Sequence, residues 1–179
     1  SSSVYGDSNI FPLTEKQILR AKNLYSLSKD FNEKLSSVYS NFNNLNLIGL
    51  RFFTAYGELG RPDMMMMKYI NCKYSGEPFF LYNYGNHYRD FTYIDDVTEI
   101  LKRLIKTKFK QKNEVYNICS SKPVKITKVL KIIDKYLPKK AKIKKISMQK
   151  ADVLKTYGSN HKIKKTTKFK SFTPIDQGV

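Results

Sequence analysis

The chain has 179 residues, with 33 Lys and Arg against 15 Asp and Glu and a formal net charge of +18, so it can form one domain with a real core or part of a larger one. No apolar stretch approaches the ~20 residues that a membrane span needs, and the first residues lack the charged and apolar segments of a signal peptide. The two cysteines, Cys72 and Cys119, have no metal-ligand spacing, and we therefore expect reduced structural thiols, no metal, no membrane association and a cytoplasmic protein.

The N-terminal segment and the helix after it carry the first candidate chemistry. In Ser1–Gly6, small hydroxyl residues precede Val-Tyr-Gly, which predicts the end of a buried strand that turns into a loop. No element precedes this strand, so we expect part of the fold to lie upstream. After a polar loop, apolar residues recur at spacings of three and four, which predicts a helix; they are Leu24, Leu27, Phe31, Leu35, Val38 and Tyr39.

Tyr25 and Lys29 lie four residues apart in this helix and therefore share one face. A cation in that position favours the phenolate form of tyrosine. A phenolate can take a proton from a sugar or alcohol hydroxyl and later return it. The alternative is a surface Tyr–Lys pair on an amphipathic helix, and the spacing alone leaves both interpretations open.

An apolar segment and a polar loop follow. Leu45–Phe53 is nearly continuous in apolar character, which predicts a buried strand of a parallel sheet. The loop Thr54–Asp63 comes after its carboxyl end, where ligands bind in open α/β sheets. We expect Asp63 to cap a helix over Met64–Tyr74, and the four consecutive methionines to be adaptable core residues of that helix.

The second half of the chain predicts further alternating elements. Strands are expected over Phe79–Tyr82, Val115–Ile118 and Ile143–Met148, and the segment from Arg89 to Val97 is expected to enter a helix that ends near Lys106, with Asp95 or Asp96 at its cap. Another helix is expected over Ile126–Leu137.

Most of the positive charge lies in residues 101–170, and almost all of it is lysine. Such a segment could bind nucleic acid or another polyanion. It lacks the interleaved aromatic residues of a stacking surface and any zinc or helix-turn-helix pattern. We therefore expect solvated surface lysines and no nucleic-acid partner.

Several separated motifs together resemble one family. Ser1-Ser2-Ser3-Val4-Tyr5-Gly6, Tyr25-x-x-x-Lys29 and Leu50–Gly57 resemble the extended short-chain dehydrogenase/reductases of the NAD-dependent epimerase/dehydratase family. Their UDP-glucuronate 4-epimerase branch is the most similar, through four further segments: Gly60–Met64, Arg89–Asp96, Tyr116-Asn117-Ile118 and Met148-Gln149 with Asp152-Val153-Leu154. The resemblance covers almost the whole chain.

The resemblance implies a role for individual residues. It implies that Ser1 hydrogen-bonds the reacting sugar hydroxyl, that Tyr25 is the base, and that Lys29 supports the phenolate and binds the nicotinamide ribose. Substrate binding is implied for Ser2, Ser3, Thr54, Arg61 and Arg89, and cofactor binding for Tyr25, Lys29 and Phe52. Arg61 would lie near the uronate and phosphates and Arg89 on the UDP diphosphate, because guanidinium groups suit these anions. For both arginines a loop salt bridge, with Glu58 or Asp90, is the alternative.

The fold implied by the resemblance is α/β, namely the C-terminal part of a Rossmann-like doubly wound parallel sheet plus a small α/β substrate-binding domain. Residues 1–60 would be a remnant of the Rossmann-type domain with the Tyr-x-x-x-Lys helix. Residues 61–179 would mainly form the nucleotide-sugar binding region, interleaved with the last Rossmann elements.

The activity implied by the resemblance is NAD-dependent epimerisation at C4 of UDP-glucuronate to UDP-galacturonate, through a 4-keto intermediate, by a homodimer with tightly bound NAD. Dehydratases and decarboxylating enzymes of the family generally carry acidic residues at the positions of Ser2 and Ser3, so the uncharged serines favour epimerisation. Other nucleotide-sugar enzymes of the family, and a non-catalytic polyanion-binding remnant, are the alternatives.

One expected family motif does not occur in the sequence. The eight glycines include no Gly-x-x-Gly-x-x-Gly pattern, which is the phosphate-binding loop of the first βαβ unit in this family. We therefore expect this chain to be the C-terminal part of an epimerase, to bind NAD poorly by itself and to be inactive alone.

Overall fold

The structure is a computed structural model that describes residues 1–109 and 112–179. Its α-helices are α1 (Leu24–Asn43), α2 (Met65–Ser75), α3 (Ile94–Ile105), α4 (Ile126–Tyr136), α5 (His161–Thr167) and α6 (Ile175–Gly178). Its strands are β1 (Leu47–Phe52), β2 (Thr54–Tyr56), β3 (Pro78–Tyr82), β4 (Tyr88–Tyr93), β5 (Asn113–Ile118), β6 (Pro123–Lys125) and β7 (Lys142–Ile146). Short 3₁₀ helices cover Ser2–Tyr5 and Asn83–Gly85.

Parallel strand pairs organise the sheets, as the predicted α/β class requires. β1 pairs in parallel with β5, with Leu47 opposite Asn113 and Phe52 opposite Ile118. β4 lies between β2, which is parallel to it, and β6, which is antiparallel. β3 and β7 form a third, parallel pair. β1 lies before residue 60 in the sequence and β5 lies after it, yet the two strands pair with each other. The predicted domain boundary at residue 60 stays a prediction.

Among the described residues, apolar side chains form three buried clusters. One includes Tyr69, Phe79 and Val129 and joins α2, β3 and α4. A second, with Ile100, Ile118 and Ile163, joins α3, β5 and α5. The third surrounds the N-terminal 3₁₀ helix and contains Val4, Tyr5, Leu13, Phe53 and Cys119. Among the described residues, no helix is long and apolar enough to cross a membrane.

The prediction of a strand end over Ser1–Gly6 is wrong, because residues Ser2–Tyr5 form a 3₁₀ helix. Local hydrogen bonds stabilise this turn: the Ser1 side chain accepts from the backbone N–H of Ser3, and the N–H of Val4 donates to the Ser1 carbonyl. Val4 and Tyr5 are nevertheless buried. Val4 and Tyr5 therefore correctly indicated a buried segment, but they did not indicate its backbone conformation.

α1 begins at Leu24, as the periodicity predicts, and the side chains of Asn23 and Ser26 form a capping box at its start. Its apolar face is exposed: Phe31, Leu35 and Val38 are each more than half exposed. The buried positions are polar instead, namely Ser26, Asp30 and Ser40. Spacing of apolar residues identified the helix but did not identify the face that packs on the rest of the chain.

Other differences concern short elements. Residues Thr54–Tyr56, predicted as loop, form β2, and Arg89 to Tyr93 belong to β4 rather than to the approach of a helix. β6, α5 and α6 were not predicted. The N-cap of α2 is Met64, with no side-chain capping bond. Asp63, which we expected in that role, pairs with Arg61 instead.

Candidate active site

A cavity of about 620 Å³ lies between β2, the loop after it, α2, β3 and β4. Its volume falls within the roughly 300–1,000 Å³ that small-molecule sites occupy. The apolar part of its wall includes Met65, Met66, Ile70, Phe79, Leu81 and Phe91. The polar part contains Thr54, Glu58, Arg61, His87, Arg89 and Asp152. An apolar wall with a few convergent charged groups is the usual composition of a ligand site.

Strand alternation explains which side chains of β4 reach the cavity. Successive side chains of a strand point to opposite faces, and the cavity is lined by Arg89, Phe91 and Tyr93 of β4 and by His87, the residue before this strand. Asp90 lies between them on the opposite face and is fully buried. Its carboxylate accepts hydrogen bonds from the Ser120 hydroxyl and from the backbone N–H groups of Ser121 and Gly158.

Arg89 and His87 flank the carboxylate of Asp152. The Arg89 guanidinium donates to Asp152 Oδ1 at 2.7 Å, and His87 Nε2 lies 3.3 Å from Oδ2. Asp152 is brought to β4 by the segment that follows it, because the N–H of Tyr88 donates to Leu154 and the N–H of Thr156 donates back to Tyr88. Burial lowers the pKa of the Arg89 guanidinium, and Asp152 offsets this effect in part.

Arg61 lines the same cavity but is largely exposed, with its guanidinium paired to Asp63. Hydrogen bonding to Asp63 raises the pKa of Arg61, and the Tyr25 phenol makes a smaller contribution in the same direction. The carboxylate partners of the two site arginines are therefore Asp63 and Asp152, rather than the Glu58 and Asp90 considered from the sequence. Thr54 also lines the cavity.

The four methionines line the cavity as well as contributing to the core. Met65 and Met66 pack, partly buried, against the cluster around Tyr69, and the full run from Met64 to Met67 belongs to the cavity wall. Their expected role as adaptable core residues therefore describes them only in part. A flexible thioether side chain is also suited to a surface that adapts to a ligand.

The predicted catalytic residues lie outside the wall of this cavity, where the N-terminal 3₁₀ helix meets α1. The hydroxyls of Ser1 and Ser3 are 3.0 Å apart, and Ser2 is half-buried beside them. Lys29 Nζ lies 5.5 Å from the centroid of the Tyr25 ring, which is 58% exposed. The catalytic roles of Ser1, Tyr25 and Lys29 stay predictions.

Phe52, expected at the cofactor, is the last residue of β1 and is 37% exposed. It does not line the cavity that contains Thr54, Arg61 and Arg89, and its role also stays a prediction. The next residue, Phe53, is buried against Tyr5 with ring centroids 6.4 Å apart. Successive side chains of an extended segment point to opposite sides, and here the ring of Phe53 enters the core while that of Phe52 is partly exposed.

Sequence reasoning did not assign a role to His87, Asp152 or Tyr56, which the structure places in the cavity wall. Tyr56 has a buried hydroxyl without a hydrogen-bond partner among the described residues, and burial raises its pKa to about 12. Asp152 was noticed only as part of a matching motif. The alternation of His87 with Arg89 and Phe91 could have placed His87 on the same face as Arg89. That inference is possible only once this segment is known to be extended.

Comparisons with known proteins concern the family and the fold. The model of the NAD dependent epimerase/dehydratase family matches residues 1–119. Protein MJ1055 of Methanocaldococcus jannaschii is 43% identical over 180 residues, which are 100% of this chain and 55% of that protein. The UDP-glucuronate 4-epimerase of Thermodesulfobacterium geofontis is 32% identical over 156 residues, which are 87% of this chain and 47% of that protein.

Among solved structures, the fold is similar to that of UDP-glucuronic acid 4-epimerase from Bacillus cereus in complex with UDP-glucuronic acid and NAD. The TM-score is 0.92 at 26% identity, covering 99% of this chain and 56% of the other. The chain thus spans about half the length of the curated relatives it matches.

Proposed function

Because the chain belongs to the NAD dependent epimerase/dehydratase family, we propose that the protein interconverts UDP-glucuronate and UDP-galacturonate by epimerisation at C4. The observation that carries this proposal is the single cavity of about 620 Å³ in which Thr54, Arg61 and Arg89 meet. A similar chain fold in the Bacillus cereus 4-epimerase, which was solved with UDP-glucuronic acid and NAD, supports the same reaction.

The two arginines divide the recognition of the anionic substrate in this proposal. Arg89, whose side chain is 17% exposed, binds the diphosphate, while the more exposed Arg61 binds the uronate carboxylate. Guanidinium groups suit both anions because they donate two parallel hydrogen bonds. Thr54 and the hydroxyls of Ser2 and Ser3 bind the sugar. None of these positions carries the acid that elimination or decarboxylation would use.

In this proposal, the residues that transfer the proton lie where α1 meets the N-terminal 3₁₀ helix. The Tyr25 phenolate accepts the proton of the C4 hydroxyl and later returns it. The Lys29 ammonium stabilises the phenolate from the next turn of α1, where its Nζ is 5.5 Å from the ring centroid. Ser1 orients the C4 hydroxyl through a hydrogen bond. The partly exposed ring of Tyr25 leaves its hydroxyl free to meet a sugar.

The residues present fit only one end of the NAD that this family uses. The exposed Tyr25 and the half-buried Lys29 can contact a nicotinamide ribose, and the exposed ring of Phe52 offers an apolar contact. The sequence contains no Gly-x-x-Gly-x-x-Gly loop for the dinucleotide phosphates. Bound NAD supplies reversible hydride transfer. We accordingly expect weak NAD binding by the 179-residue chain itself.

A homodimer is part of the same proposal. The exposed apolar residues of α1 form one stripe along the helix, with Leu24, Leu27, Phe31, Leu35, Val38 and Phe42 each more than half exposed. A contiguous apolar stripe of this kind marks an interaction surface. Either a second copy or an upstream part of the protein could cover it, and sedimentation of the purified protein distinguishes a dimer from a monomer.

The reaction is tested by incubating protein with NAD and UDP-glucuronate and separating the products. We expect UDP-galacturonate from a polypeptide that also includes a glycine-rich dinucleotide loop, and none from the 179-residue chain. Formation of UDP-xylose, which requires loss of the uronate carboxyl as CO₂, would mean that the protein catalyses decarboxylation rather than epimerisation. Retention on heparin without any binding of UDP-sugars would favour the non-catalytic polyanion-binding alternative.

A further inference from the structure

His87 has a buried ring nitrogen without a hydrogen-bond partner among the described residues. The side chain lines the cavity, is 4% exposed, and its Nε2 makes no hydrogen bond. Asp152 Oδ2 lies 3.3 Å from Nε2 but outside hydrogen-bond alignment. Burial of an unpaired polar atom costs free energy. An unpaired polar atom beside a ligand cavity therefore indicates that its hydrogen bond forms in another state of the site.

The other oxygen of the Asp152 carboxylate, Oδ1, accepts a hydrogen bond from Arg89. Asp152 Oδ1 accepts from the guanidinium at 2.7 Å and from the backbone N–H of Val153 at 2.8 Å. The guanidinium also donates to the carbonyls of Tyr88 and Leu154, at 3.0 and 3.3 Å. One carboxylate thus lies between a guanidinium and an imidazole, at the wall of the cavity.

Charge is balanced in this cluster while His87 is neutral, since Arg89 and Asp152 then cancel. Burial lowers the pKa of His87, Asp152 opposes this effect and Arg89 adds to it. Within the part of the chain that the structure describes, these are the two charged groups that act on the imidazole. A ligand that neutralises Arg89 removes the unfavourable cation and leaves the carboxylate to stabilise a protonated ring.

Resting on the proposed function, in which Arg89 binds the diphosphate of a nucleotide sugar, we propose that His87 takes up a proton from solvent when this ligand binds and becomes the cation partner of Asp152. The diphosphate brings two negative charges to a cluster whose single guanidinium is already shared with a carboxylate. A protonated ring offsets one of them and can donate Nε2–H to Oδ2 after a small rotation. His87 is in this sense a positioning residue, because it holds Asp152 while Arg89 engages the ligand.

Titration calorimetry with UDP-glucose tests this proposal in two buffers of different ionisation enthalpy, which reveals the protons taken up on binding. UDP-glucose has no sugar carboxylate to involve Arg61, and its diphosphate has no terminal phosphate that titrates near neutral pH. His87→Gln removes the ionisable ring. The sequence has one other histidine, His161, which is exposed on α5 and does not line the cavity, so His161→Gln is the matched control.

We expect the protein to take up a fraction of a proton near neutral pH and to bind UDP-glucose more weakly as pH rises, by up to about tenfold per pH unit. His87→Gln should lose both the uptake and the pH dependence and bind about tenfold more weakly at about pH 6.5. His161→Gln should match the unsubstituted protein. A structural role alone predicts a lower unfolding temperature for His87→Gln with proton uptake unchanged.

Equal proton uptake in the protein and in His87→Gln overturns this proposal, as does the absence of uptake or of UDP-glucose binding in the unsubstituted protein. The proposed reaction fails in a different way. In that case UDP-glucose binding and its linked proton uptake persist, but no UDP-galacturonate forms from UDP-glucuronate even with a polypeptide that also includes a glycine-rich dinucleotide loop.

Discussion

The guanidinium of Arg51 in β1 donates two hydrogen bonds to the carboxylate of Glu33 in α1, at 2.9 and 2.7 Å. Glu33 lies one helical turn after Lys29 and two turns after Tyr25, on the face of α1 that packs against β1. Arg51 also donates to the Tyr5 hydroxyl at 2.8 Å, which in turn donates to Asn117. This ion pair therefore connects the helix of the predicted catalytic residues to the sheet and to the N-terminal 3₁₀ helix.

Replacing Glu33 by Gln should lower the free energy of unfolding by about 3 kcal/mol, because it leaves the buried Arg51 charge without its partner. The side chains of Arg51 and Glu33 are 5% and 19% exposed. Glu99→Gln is the control, since the side chains of Glu99 and Arg103 are 44% and 39% exposed and a solvent-exposed ion pair contributes little to stability. Urea unfolding measures both changes. Equal losses in the two variants would mean that the Arg51–Glu33 pair does not anchor α1.

Asp90 should give the stability of the protein a particular pH dependence. Burial raises its pKa to about 6, although the donors from Ser120, Gly158 and Ser121 act in the opposite direction. A raised pKa in the folded state means that the contribution of this group is fully present below its unfolded pKa and is lost as pH rises through about 6. The loss is on the order of 3 kcal/mol between about pH 4 and pH 7.

Urea unfolding from about pH 4 to pH 7 checks this prediction. Asp90→Asn should be less stable in total, since its amide cannot accept all three hydrogen bonds, but it should lack the part of the pH slope that Asp90 causes. Asp7→Asn, at an exposed position, provides the comparison. An unchanged slope in Asp90→Asn would attribute the pH dependence to other groups.

Tyr25→Phe should reduce turnover of UDP-glucuronate by about 10²–10⁴-fold in the active protein, because it removes the group that transfers the proton. Binding of UDP-glucose should change much less than turnover, since Arg89 in the cavity wall, rather than Tyr25, binds the diphosphate in this proposal. Tyr39→Phe is a closely matched control: the two tyrosines lie on the same helix and are 58% and 56% exposed. Loss of activity in both variants would indicate a general effect on α1 rather than proton transfer.

Arg61→Gln should distinguish ligands by their carboxylate. If the guanidinium binds the uronate, the affinity for UDP-glucuronate falls by about 10- to 100-fold, as expected for a hydrogen bond to a charged group, while the affinity for UDP-glucose falls much less. Arg103→Gln, whose side chain pairs with Glu99 on α3 outside the cavity, should leave both affinities unchanged. Calorimetry with the two nucleotide sugars gives the comparison. Equal losses for both would assign Arg61 to the part of the ligand that they share.

The helical segments show how far sequence patterns reach. α2 and α4 were predicted within one residue of their observed ends. The start of α1 at Leu24 was also predicted, from apolar residues that recur over several turns, but the predicted run stops at Tyr39 and the helix continues to Asn43. The strand β4 (Tyr88–Tyr93) was not predicted. Its side chains alternate between cavity-facing and buried positions, and polar side chains occur at both. A strand with Arg89 on one face and Asp90 on the other has no apolar alternation to detect.

The sequence by itself indicated the family, through the resemblance of motifs between Ser1 and Leu154, and the helices with long apolar periodicity, because these signals lie in short stretches of the chain. The tertiary structure decided which of them meet. Asp152 reaches Arg89 across 63 residues, through a chain segment that hydrogen-bonds beside β4. The exposed apolar face of α1 is likewise invisible in the sequence, since periodicity shows that a helix has two faces but the contacts that cover each face come from distant parts of the chain.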